Sequence, residues 1–99
     1  MILYNTGILF NIRSEYDEAV KSLELSISKN PENVYAYLAL GDAYERQDEL
    51  AKALNVYLDL KGLGIKVHGL KEKIALSLTR KLMVDHAAQS LTVTGNSCV

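Results

Sequence analysis

Residues 37–44 of this 99-residue chain read Tyr-Leu-Ala-Leu-Gly-Asp-Ala-Tyr, and residues 3–10, which lie 34 positions earlier, read Leu-Tyr-Asn-Thr-Gly-Ile-Leu-Phe. The two stretches share a glycine, Gly7 and Gly41, with an aromatic residue three positions later. A period of 34 with paired small and aromatic residues is typical of a helix-turn-helix unit that buries its apolar face by stacking on copies of itself. The period therefore predicts an all-α fold, built as a right-handed stack of antiparallel helical hairpins.

The first predicted hairpin covers residues 1–31. Apolar residues recur at helical spacing over about 1–12 and again over about 16–28, which predicts two antiparallel helices. Pro31 follows the second helix, and proline cannot continue a helix because it has no backbone N–H to donate. We therefore expect the first unit to end there.

The second predicted hairpin covers residues 32–65. One helix runs to about Gln47, and another runs over 49–61 with Asp48 as its N-terminal cap. The stretch 62–64 is Gly-Leu-Gly, and glycine readily takes the left-handed conformation that ends helices. We therefore expect the second unit to end there.

Residues 66–91 keep the 34-residue spacing of apolar positions but lose the aromatic residues. The positions predicted to be buried in this segment are Ile74, Ala75, Leu78, Val84, Ala87 and Leu91. A single long helix over about 67–89, covering the open end of the stack, and a third hairpin both fit this spacing, and the lack of a turn signal favours the single helix. We predict a domain over residues 1–94, in which 66–91 is a degenerate repeat or a capping helix, and a flexible tail over residues 92–99.

Small residues are expected where the two helices of a hairpin approach each other, and aromatic residues where they fill the space between hairpins. The predicted repeat core consists of Gly7, Phe10, Ala19, Gly41, Tyr44, Ala53 and Tyr57. An aromatic stripe at this spacing indicates a core and not a cofactor site.

The composition is that of an ordinary globular protein, with 48% apolar and 23% charged residues and a net charge of -1. This net charge argues against nucleic-acid binding, which needs a concentrated basic surface. Residues 1–65 carry six Lys/Arg and ten Asp/Glu, whereas residues 66–99 carry five and two, which we interpret as two solvated faces. One cysteine, no glycosylation motif and no apolar run of membrane-spanning length predict a cytoplasmic protein without membrane contact.

The two 34-residue units resemble the tetratricopeptide repeat (TPR) family over residues 1 to about 61. The matching residues are 3–10 with Tyr16, Ala19 and Pro31 in the first unit, and 37–44 with Leu50 and Ala53 in the second. The segment that follows departs from the family pattern, because Lys71 stands where an aromatic residue is usual and Ala75 replaces the glycine.

The resemblance implies a non-catalytic scaffold whose concave groove binds a peptide or a partner helix. The groove residues it implies are Tyr4, Ile8, Asn11, Tyr35, Leu38, Asp42 and Glu45, with Glu72 and Arg80 added if residues 66–91 dock as a repeat. We expect none of these side chains to be needed for the internal core. Aromatic and aliphatic anchors beside two carboxylates predict a protein or peptide ligand with apolar anchors and a basic residue.

Two alternatives to groove binding remain open. Residue 1 already lies inside the first predicted helix, so the chain is expected to be a piece of a longer array, and its groove side chains would then pack on neighbouring repeats or on a second copy by self-association. In addition, Ser97-Cys98-Val99 has the form of a C-terminal PDZ ligand, which is weak evidence at three residues.

Catalytic, metal and cofactor sites are not predicted. His68 and His86 lie eighteen residues apart without a third ligand at a familiar spacing. Gly62-Leu63-Gly64 lacks the lysine and the third glycine of phosphate-binding loops. The sequence therefore does not predict an enzyme.

Overall fold

The computed structural model describes residues 2–97, and it describes side chains over residues 2–86. Its five helices are α1 (Ile2–Ile12), α2 (Tyr16–Lys29), α3 (Val34–Arg46), α4 (Leu50–Gly62) and α5 (Leu70–Ser97). No strand occurs within the described part of the chain. The predicted all-α fold is confirmed.

The helices pack as a stack of hairpins. α1 contacts α2, α3 contacts α4, and α3 also lies against both helices of the first hairpin, while α5 packs on α4. The molecule is correspondingly elongated, with principal extents of 56 × 29 × 18 Å. α3 and α5 therefore each pack on the hairpin before them, as a helical repeat requires.

Glycine allows the two helices of each hairpin to approach closely. A Cβ atom on Gly7 would lie 2.5 Å from Cγ of Leu23, and one on Gly41 would overlap the ring of Tyr57. Leu23 and Tyr57 are both fully buried. The repeated glycine thus marks the point in each hairpin where a side chain of the second helix lies against the backbone of the first.

The turn inside each hairpin has the same backbone form. Ser14 and Asp48, 34 residues apart, have left-handed φ angles of 62° and 60°. The N–H groups of Glu15 and Glu49 donate to the carbonyls of Phe10 and Tyr44 at 2.8 and 2.9 Å, which is the hydrogen bond of a Schellman C-terminal cap. The prediction that Asp48 caps the N-terminus of α4 is wrong: Glu49 holds that position without a side-chain hydrogen bond, because Asp48 is already used to end α3.

The apolar core consists of two clusters along the stack. The first, between α1, α2 and α3, has as its buried members Ala19, Leu23, Ala39, Leu40 and Ala43. The second, between α3, α4 and α5, has as its buried members Tyr37, Ala53, Tyr57, Leu60 and Leu70. Phe10 and Tyr44, which were predicted for the repeat core, pack against these clusters and are only partly buried.

α5 is one uninterrupted helix, so the structure has the single long helix and not a third hairpin. Its buried residues Leu70 and Ser77 and its half-buried Ile74 face the preceding hairpin. They lie 34 positions after Ala36, Ala43 and Leu40 of α3, which are buried against the first hairpin. The repeat therefore survives on the face of α5 that meets the preceding hairpin.

The prediction that Ala75, Leu78 and Val84 are buried is wrong, because all three are exposed. Ala75 and Leu78 correspond to Gly41 and Tyr44, which face the second helix of their own hairpin. α5 runs straight on and forms no second helix, so these positions have nothing to pack on within the described residues. The side chains of Ala87 and Leu91 lie outside the described residues.

The C-terminal stretch belongs to α5, which continues through Ser97. The flexibility predicted for residues 92–99 stays a prediction. No proline follows Leu70, and the one glycine in this stretch, Gly95, costs only about 1 kcal/mol in a helix. Cys98 and Val99 of the PDZ-like ending lie outside the described residues.

Candidate protein-binding surface

The most accessible aromatic group of the predicted groove is a pair of tyrosines. The ring centroids of Tyr4 on α1 and Tyr35 on α3 are 6.5 Å apart, with the ring planes tilted by 50°. Tyr4 is half buried against the first core cluster, whereas Tyr35 is 67% exposed. Tyr4 therefore lies against one side of the Tyr35 ring, and the rest of that ring is exposed.

Beside Tyr35 lies a groove of about 490 Å³. Tyr35 and Leu38 of α3 form one wall, and the loop between α4 and α5 supplies Ile65 and Val67 as the other. Ile65 is exposed and Val67 half buried. Sequence reasoning missed these two loop residues because a loop has no periodicity, and the only signal was their apolar character between Gly64 and His68.

Ile8 and Asn11 serve the internal structure of the stack. Ile8 packs against the first core cluster. The side-chain amide of Asn11 donates to the carbonyl of Ala39 at 3.2 Å, which joins α1 to α3. Oδ1 of Asn11 is buried and has no hydrogen-bond partner among the described residues. The expectation that groove residues are not needed internally is therefore wrong for these two, and also for Tyr4 and Leu38, which pack on the core clusters.

Glu45 is the clearest departure from the predicted groove. Its carboxylate accepts hydrogen bonds from the hydroxyls of Tyr57 at 3.2 Å and Ser77 at 3.1 Å, and it lies 3.8 Å from the guanidinium of Arg80. The side chain is only 14% exposed. Burial and the negative charge of Glu45 raise the pKa of the Tyr57 hydroxyl. Glu45 therefore ties α3 to α4 and α5, and its charge is not available to a ligand.

Asp42 keeps an accessible charge one turn earlier on α3. Arg46 donates from Nε to Oδ2 of Asp42 at 3.2 Å, and the Asp42 side chain remains 42% exposed. An exposed pair of this kind contributes little to stability and is open to competition by an incoming cation. Of the two remaining residues named for the groove, Arg80 pairs with Glu45 and Glu72 is exposed on α5.

Over the described side chains, no group of three or more His, Cys, Asp or Glu residues is placed to hold a metal ion. None of the described helices combines the length and apolar character needed to span a bilayer.

The hairpin geometry agrees with a comparison against known families. Residues 7–48, which run from the close-contact glycine of α1 to the left-handed residue after α3, match the family model of the TPR repeat. This segment carries a TPR repeat. A search of curated proteins finds no match. TPR repeats generally mediate protein–protein interactions, and the family is typically a non-catalytic interaction module.

Proposed function

We propose that this TPR chain is a non-catalytic scaffold that binds a peptide or partner helix along the side of the stack formed by α1 and α3. The observation that carries the proposal is the tyrosine pair, in which Tyr35 is 67% exposed although its ring is held by Tyr4 at 6.5 Å. An aromatic ring that is both ordered and accessible loses little conformational freedom on binding, and such residues dominate interface energetics.

The neighbouring groove defines the chemistry of the ligand. Its walls are apolar at Leu38, Ile65 and Val67, so the ligand presents aliphatic or aromatic anchors. Asp42 offers an exposed carboxylate on the same helix beyond the groove lining, and Glu32 lines the groove itself, together with Lys66. We therefore propose a ligand in which a lysine or arginine accompanies the apolar anchors, with Asp42 and not Glu45 as its carboxylate partner.

The experiment is selection of peptides from a random library on the full chain, followed by calorimetric titration of the selected peptides. Tyr35→Ala should raise the dissociation constant by about 5- to 30-fold, and Asp42→Lys should weaken binding and reduce its salt dependence. Leu58→Ala is the matched control, because Leu58 is 44% exposed on α4 outside this groove. Peptides that tolerate both changes but lose affinity in the control variant would contradict the proposal.

The alternative, in which groove side chains pack on further repeats or on a second copy, predicts a different result. Selection would then yield no peptide that depends on Tyr35, while the oligomeric state would depend on this residue.

We also propose that the protein acts in the cytoplasm. Imaging of the full chain with a fluorescent tag tests this location, and accumulation in the secretory pathway would contradict it.

A further inference from the structure

One side of α5 is exposed, whereas the equivalent side of α3 is covered by the helix that follows it. On α3, Gly41 lies against Tyr57 of α4, and the ammonium of Lys52 on α4 lies 5.8 Å from the centre of the Tyr44 ring. α4 thus covers this side of α3. The same side of α5, 34 residues later, begins with Lys71 and has no following helix among the described residues.

The residues on this side of α5 form a regular stripe. Lys71, Ala75, Leu78, Leu82 and Asp85 follow one another at intervals of four, three, four and three residues. That alternation is the heptad spacing by which one helix packs along another. All five side chains are exposed, Leu78 by 43% and Leu82 by 58%. We refer to these five residues as the α5 stripe.

We propose that the α5 stripe binds the α5 stripe of a second copy of this chain, with the two helices antiparallel about a two-fold axis at Leu78. Leu78 then faces its own counterpart, Ala75 faces Leu82 of the other copy, and Lys71 faces Asp85 of the other copy. A small residue thus meets a large one on each side of the axis, and opposite charges meet at both ends.

Orientation and charge both favour this antiparallel arrangement. A parallel pairing in register would place Lys71 against Lys71 and Asp85 against Asp85, and like charges in contact repel. An antiparallel α5 from a second copy also runs in the direction of α4 relative to α3, because consecutive helices of a hairpin are antiparallel. The second copy therefore takes, on α5, the place that α4 takes on α3.

The charged ends of the stripe also have contacts within the chain. Lys81 donates to the carboxylate of Asp85 at 2.9 Å across one turn of α5. In the pair, the two oxygens of the Asp85 carboxylate provide one acceptor for this Lys81 and one for Lys71 of the second copy. No residue of the α5 stripe belongs to the tyrosine pair or its groove, so the dimer leaves the proposed binding surface free.

Sedimentation equilibrium of the full chain over a range of concentrations tests the proposal. The wild type should show a monomer–dimer equilibrium, and Leu82→Glu should raise the dimer dissociation constant at least 30-fold, because the change occurs on both copies. Met83→Glu is the matched control: Met83 is 66% exposed on the same helix but lies about 100° around it. The control should change the dissociation constant less than about threefold.

Charge reversal tests the proposed partners directly. Lys71→Glu and Asp85→Lys should each weaken the dimer about 5- to 10-fold, and the double variant should return close to the wild-type dissociation constant. Far-UV circular dichroism of each variant checks that α5 remains helical, because Asp85→Lys also removes the contact with Lys81.

Cysteine cross-linking tests the two-fold axis, with Cys98→Ser as the background. Leu78→Cys should form a disulfide-linked dimer under mild oxidation, whereas Ala75→Cys should do so only when mixed with Leu82→Cys. Three results would each overturn the proposal. The chain could stay monomeric up to about 1 mM, the dimer could be lost with Met83→Glu but kept with Leu82→Glu, or Ala75→Cys could form a disulfide with itself. A dimer that depends on Tyr35 instead would place the contact in the groove and would likewise overturn it.

Discussion

Gly41→Ala is the substitution for which the structure makes the sharpest prediction. The added methyl group would overlap the ring of Tyr57. Tyr57 is fully buried, and its hydroxyl donates to Glu45 at 3.2 Å, so the ring is held at both ends and cannot swing aside. Overpacking of this kind costs about 1–3 kcal/mol, with the upper end expected where a rigid ring is the neighbour.

This cost is opposed by the gain in helix propensity, because alanine is better than glycine in a helix interior by about 1 kcal/mol. We therefore expect Gly41→Ala to lower the free energy of unfolding by a net 1–2 kcal/mol. The usual stability of a small domain is only about 5–15 kcal/mol, so the loss is readily measured.

The assay is urea unfolding followed by far-UV circular dichroism, with Gly62→Ala as the matched control. Gly62 is the last residue of α4, and a Cβ there would meet nothing within 4 Å. The control should therefore leave stability unchanged or raise it by up to about 1 kcal/mol. If Gly41→Ala were as stable as Gly62→Ala, the close approach of α3 and α4 at this glycine would be refuted.

Three further predictions follow from the turns, the buried carboxylate and the tyrosines. Ser14→Gly should stabilise the fold by about 0.5–1 kcal/mol in the same urea assay, because glycine has no steric penalty at the left-handed φ of 62°. Glu45→Ala should cost about 1–3 kcal/mol by leaving the buried Tyr57 hydroxyl without its acceptor, whereas Asp42→Ala, which removes an exposed ion pair, should cost less than about 1 kcal/mol. Burial raises the pKa of Tyr44 to about 12 and raises that of Tyr57 as well. The folded state therefore keeps protons that unfolded tyrosines release near pH 10. The free energy of unfolding should consequently fall as the pH rises above about 10. Urea unfolding at several pH values should show a shallower fall for Tyr57→Phe, and an equal fall would contradict this assignment.

Much of the stack could be predicted because each hairpin repeats the same contacts. Gly7 and Gly41 lie opposite large buried side chains at equivalent points, and that constraint is visible as a 34-residue period. The period breaks down in α5, where only the side facing the preceding hairpin is retained. Sequence spacing assigns a residue to a face of its helix but does not show whether a following helix exists to cover it, so Ala75 and Leu78 were placed wrongly.

The candidate surface was less predictable than the fold. Tyr35 and Leu38 could be named from the pattern of α3, because they are apolar at positions that the hairpin core was not expected to need, although Leu38 also packs on the second core cluster. The internal role of Glu45 could not be predicted, because its partner Ser77 lies 32 residues later on a helix whose placement depends on the whole stack. Ile65 lines the groove from the loop between α4 and α5, and a loop has no periodic pattern from which its position beside α3 could be predicted.

The most direct test of the proposed function is to map the bound ligand on the protein. Backbone amide shifts of the isotope-labelled full chain would be followed by NMR during titration with a selected peptide. We expect the largest shifts to cluster at Tyr4, Tyr35 and Leu38, with Ile65 on the facing loop and little change along α2. Shifts concentrated on α2 and on the outer side of α4, with the tyrosine pair unaffected, would contradict it.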